Sequence, residues 1–247
     1  MPSNPELGPR VSSVLAVVYL VFNEGYSASA GHDLLRVDLC DEAIRLARLL
    51  GPMLPDDPEV AGLTALMELT HARRATRVDR HGDLVLLDAQ DRSRWDHDLI
   101  ATAATRLDAR AEHALGPYRA QAEIARIHAV APTATATDWP RILTIYRGLQ
   151  ASTASPVVDL NAAVARAMVD GPAAGLAEMD QLAADGELDG YHLLHSARAD
   201  LLRRLGRHRD AASAYRRALA LVSTSPERRF LERRLAAVAG TIVAPEG

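Results

Sequence analysis

A pattern that returns after thirty-four residues constrains this chain more than any other feature. Leu160, Ala163, Ala165, Ala177 and Ala184 recur as Leu194, Ala197, Ala199, Ala211 and Ala218. That is the period of a unit made of two helices and a turn, in which small residues mark the close approach of the helices. Such a unit cannot bury its apolar face alone and must stack on its neighbours. The rest of the chain suits helices too. Aromatic residues make up only 4% of it, and all 28 basic residues are Arg. Ala, Leu and Arg are strong helix formers, whereas β-structure favours aromatic and β-branched residues.

Helical spacing, broken by Gly-Pro and Asp-Pro pairs, predicts helices near 11–24, 33–50, 57–78, 96–115, 118–130, 139–149, 156–169, 172–184, 191–205, 208–222 and 226–238. The expected fold is all-α: an N-terminal helical bundle over 11–130 continuing into a short solenoid of stacked hairpins over 138–239, in one structural unit. Residues 1–10 read as a disordered leader and 240–247 as a tail. The polar stretch 79–96 reads as an ordered loop, because Leu84-Val85-Leu86-Leu87 and Trp95 are too apolar to hang in water. The first helix is almost wholly apolar, which predicts burial on several sides.

The net charge of −4 hides an asymmetry, with eleven Arg against five acids from Tyr191 onward. Arg216, Arg217, Arg228, Arg229, Arg233 and Arg234 fall in the last two helices and are read as a solvated face. One cysteine, Cys40, excludes a disulfide within the chain and suits a reducing cytoplasm. Arg10, the apolar run 14–22 and Ser27-Ala28-Ser29-Ala30 imitate a secretion signal. Asn23, Glu24 and Tyr26 interrupt it, and the run is too short to span a bilayer, so no membrane partner is expected.

Four segments together carry a resemblance. They are Leu15-Ala16-Val17-Val18-Tyr19-Leu20-Val21-Phe22-Asn23-Glu24-Gly25-Tyr26, then His71-Ala72-Arg73-Arg74-Ala75, then Gly82-Asp83-Leu84-Val85-Leu86-Leu87 with Gln90-Asp91-Arg92-Ser93-Arg94-Trp95-Asp96, and finally Tyr191 to Arg207. In this order they resemble the C-terminal, tetratricopeptide-like (TPR-like) extension of a group of extracytoplasmic-function RNA polymerase sigma factors. The resemblance spans 11–237. Such sigma factors carry two helical domains ahead of the extension, for core polymerase and promoter DNA. Met1–Arg10 has no room for either, so the chain corresponds to the extension alone, as an excised domain or a stand-alone relative. The resemblance implies a regulatory domain that controls transcription initiation through protein contacts. Its partners would be sigma-factor helical domains or RNA polymerase, with no specific DNA binding by this chain.

Two sets of residues are candidates for a site. In TPR-type arrays the first helices line a groove, which nominates Asn161, His192, His195 and Arg198, with His195 and Arg198 expected to be exposed. The second set is Glu24, Tyr26, His71, Asp91, Arg92 and Trp95. It mixes acid, base, imidazole and aromatic groups, as a small-molecule or catalytic pocket would. Glu24 also fits a purely structural ion pair with Arg73, Arg74 or Arg92. Glu68-x-x-His71 lacks a second such motif on a facing helix, so neither a metal nor another cofactor is expected. No nucleotide loop or nucleophile motif is present, which argues against an enzyme.

Overall fold

The structure, a computed structural model, describes residues 4–26 and 35–243. Among these residues it is all-α: eleven α-helices, short 3-10 turns and a single isolated antiparallel bridge between Val78 and Leu84. The chain divides into two compact units, residues 1–137 and 138–247.

The first unit contains α1 (Asn4–Tyr26), α2 (Val37–Met53), α3 (Pro58–His71), α4 (His97–Asp108) and α5 (Pro117–Val130). The centre is α3, which packs on each of the other four. Every residue from Val60 to Leu69 is buried, so this helix is apolar all round because it is surrounded all round. Its start is set by Asp57, whose carboxylate accepts from the Glu59 and Val60 amides, with Pro58 in the first turn.

Two expectations fail in α1. The helix begins at Asn4, so residues 4–10 are ordered helix and not a leader; Pro5 falls in the first turn, where its missing N–H costs nothing. Nor is the helix enclosed. Leu15, Val18 and Phe22 face the core, while Val14, Val17 and Leu20 are exposed. Its far end meets α2 closely: a Cβ on Gly25 would lie 2.8 Å from the Cys40 amide and 2.9 Å from its sulfur. The Ser27–Ala30 segment lies outside the described residues.

The second unit contains α6 (Trp139–Ser152), α7 (Pro156–Val169), α8 (Pro172–Asp185), α9 (His192–Arg204), α10 (His208–Leu221) and α11 (Ser225–Val243). Each helix packs on the next in a solenoid-like series of hairpins, and α7 to α11 share one continuous core. Helix α11 reaches Val243, so 240–243 is helical and not part of a tail.

The thirty-four-residue register holds only for the first helix of each hairpin. Leu160 and Ala165 are buried, as are Leu194 and Ala199. In the second helices Ala211 and Ala218 are buried, but Ala177 and Ala184 are exposed. The buried set of α8 is Gly175, Leu176 and Met179, which matches Ala211, Ala212 and Tyr215 at thirty-six residues. Two residues separate α7 from α8 and three separate α9 from α10, so the second hairpin reaches its return helix later. The helix crossing of the first hairpin is therefore made by Gly175, where an added Cβ would lie 2.5 Å from the Ala163 carbonyl oxygen and against Ala167.

Candidate functional site

The six residues nominated in the N-terminal unit fall into three local constellations. The first is at the end of α1. The Tyr26 ring stacks on Phe22 at 5.8 Å and carries the Arg77 guanidinium 4.0 Å above it. Glu24 is half-buried beside it. Of the arginines expected to pair with Glu24, Arg74 lies 3.6 Å from Asp96 and Arg92 is taken up by main-chain carbonyls.

The second constellation is His71, at the end of α3 and only 4% exposed. Its Nε2 lies 3.0 Å from Asp41 Oδ1, and its Nδ1 is buried without a hydrogen-bond partner. Burial and then Arg74 push its pKa down, against the pull of Asp41. A neutral ring donating from Nε2 to the carboxylate satisfies that geometry. One turn earlier, Glu68 is fully buried; its carboxylate accepts from Arg48 Nε at 2.8 Å and Arg106 at 3.3 Å. Both side chains of that spacing are thus taken up, Glu68 by ion pairs and His71 by a hydrogen bond to Asp41, and among the described residues no group of three His, Cys, Asp or Glu is placed to hold a metal ion.

The third constellation orders the 79–96 stretch. Trp95 is 4% exposed and donates from Nε1 to Thr76 Oγ1 at 2.9 Å. The Thr76 hydroxyl also lies 3.3 Å from Gln90 Oε1, and Gln90 Nε2 donates to the Val85 carbonyl. Arg92 covers the Trp95 ring at 4.5 Å and donates from Nη1 to the His128 and Ala131 carbonyls, at 2.6 and 3.0 Å. Those carbonyls end α5, where the helix leaves acceptors without partners. Asp91 is exposed and caps the 3-10 turn Arg92–Arg94 through the Ser93 amide and hydroxyl. Burial and the arginines Arg73 and Arg92 push the pKa of His128 down to about 4.

In the second unit, His195 and Arg198 line a depression of about 500 Å³ with Asp180, Arg207, Asp210 and Arg217. The expectation that His195 is exposed is wrong: it is 7% exposed, because the loop before α9 folds onto it and its Nε2 lies 3.0 Å from the Asp189 carbonyl. Arg198 Nε donates to Asp180 at 2.9 Å, and Arg207 Nε to Asp210 at 2.9 Å. Arg217 is exposed on the same rim. His192 points elsewhere, with Nε2 3.7 Å from Glu227 of α11. Asn161 is exposed on α7, without a hydrogen bond or ion pair to the other three.

Sequence reasoning passed over Glu59, whose carboxylate accepts from the Tyr118 and Arg119 amides at 2.8 and 3.2 Å and so caps α5. Burial raises its pKa while those two amides lower it. Gly116 gives it room, since a Cβ there would lie 2.5 Å from the carboxylate. The only sequence signal was the Gly-Pro start of α5, which has no capping side chain of its own.

Residues 10–111, within the N-terminal unit, match a family of unknown function (DUF6596). Over 236 residues, 95% of this chain, it is 43% identical to an uncharacterized protein of Rhizobium meliloti (strain 1021). The match covers 55% of that relative, so the chain spans about half the length of the curated protein it resembles. No solved structure matches significantly. Among the described residues no helix is long and apolar enough to cross a membrane.

Proposed function

We propose that this chain is a regulatory protein-interaction domain of sigma-factor type, which controls transcription initiation through protein contacts and not by binding promoter DNA. The observation that carries this reading is the extent of the relative. Nearly all of this chain aligns with only 55% of it, as expected of a domain joined to a second substantial segment. The hairpin array of the second unit supports the reading, since stacked hairpins commonly serve as binding scaffolds. So does the resemblance of the four quoted segments to sigma-factor extensions.

The contact surface would be the depression on the second unit. It offers Arg198, Arg207 and Arg217 against Asp180 and Asp210, which suits a partner segment bearing acidic side chains. Arg198 and Arg217 are the residues to change, since their loss removes cationic contacts while the buried core of the hairpins stays intact. In a pull-down with sigma-factor helical domains, a double change of Arg198 and Arg217 to Ala should weaken capture about tenfold and leave helical content unaltered. Equal capture by this variant would remove the depression from the interface.

A further inference from the structure

A second concave site lies in the first unit, outside both sets of residues nominated by the sequence except for Arg92. It is a cavity of about 470 Å³ between the start of α4 and the end of α5. Arg92, Ser93 and His97 supply its polar groups; Ile100, Ala104 and Val130 are among its apolar ones. Val130 is 59% exposed, so an apolar group that entered the cavity could reach it.

The polar groups include a charge that its surroundings do not balance. Arg92 Nη1 is occupied by two carbonyls, but its Nε and Nη2 make no hydrogen bond to the described residues. The charged group that bears on Arg92 is itself a cation, Arg73. Acids nearby are directed away. Asp91 caps its own turn, and Asp96 caps the Leu99 amide and lies beside Arg74. Trp95 and the two carbonyls hold the guanidinium in place, so its remaining N–H edge is preorganised for an anion.

We propose that this cavity binds a small organic carboxylate with a short apolar tail. The carboxylate pairs with the open edge of Arg92, within reach of Ser93 and His97. The tail lies against Ile100, Ala104 and Val130. Neither half suffices alone. An inorganic anion leaves the apolar wall exposed to water, and a neutral alcohol leaves the cationic edge unmatched. This site stands on the first unit alone and does not depend on the protein-binding reading.

The test is an amide NMR titration of the full chain with hexanoate, 1-hexanol and sulfate as separate probes. Hexanoate should give saturable shifts confined to residues 92–104 and 128–132, with the other two probes at least about tenfold weaker. Arg92 also braces the α5 end, so the variant to use is Ala104→Phe, which fills the cavity and leaves the guanidinium intact. It should weaken hexanoate about tenfold or more with dispersion of the spectrum retained. If it fails to fold, Ala101→Phe on the exposed rim of the same cavity serves instead. Non-saturable shifts, equal response to 1-hexanol or to sulfate, or unchanged hexanoate binding by the folded variant would each overturn the proposal.

Discussion

His128 shows how a single residue carries the balance between burial and charge in this protein. Its pKa lies near 6.5 when unfolded and at about 4 in the fold. Between those values the unfolded chain takes up the extra proton, so stability rises with pH. The contribution is fully present above about pH 6.5 and is lost as pH falls through 4, up to about 3 kcal/mol in all. Denaturant midpoints measured from pH 7 to pH 4 should fall, and His128→Gln should flatten that fall. An unchanged slope in the variant would mean that other groups carry the acid sensitivity. None of this was legible in the sequence, where His128 is one polar residue on an otherwise ordinary helix. Its environment comes from Arg73 and Arg92, brought to it from another part of the chain. His195 failed for a similar reason: its place in the repeat suggested exposure, but the Asp189 carbonyl covers it.

At the scale of helices, periodicity identified each α-helix, although α3 ends at His71 and α4 at Asp108, short of the expected 78 and 115, and packing decided which of them is central. The sequence marked the first helix as the apolar one to be buried on several sides. The one that is enclosed is α3, because four other helices surround it, while α1 lies against the bundle with one face only. The hairpin repeat was legible as a period, yet the sequence match at Ala177 and Ala211 misled, because the return helices bury residues thirty-six apart, and the turn that is one residue longer accounts for only part of that shift. The packing makes a sharp prediction. Gly175→Ala should cost about 1–3 kcal/mol, since its methyl would meet the Ala163 carbonyl and Ala167. Ala177→Leu, at an exposed position, should stay within about 0.5 kcal/mol of wild type. Thermal or chemical unfolding of the two variants distinguishes the registers; the reverse order would restore the thirty-four-residue alignment of α8 with α10.

At the scale of the whole molecule, the described residues form two all-α units, of which the first holds the family match and the second an array of hairpins. The class of fold was legible because helix propensity, breakers and periodicity agree along the chain. The candidate site was legible only in part. Arg198 and Arg92 both line concave surfaces, but the residues beside them come from helices that sequence spacing cannot bring together. The central claim is that this domain works by binding a protein. Calorimetric titration of the chain with sigma-factor helical domains tests it most directly. The account predicts a one-to-one complex with a Kd of about 1 μM or tighter, formed equally well without promoter DNA. Absence of heat and of a complex at about 100 μM, or binding of promoter DNA by this chain alone, would contradict it.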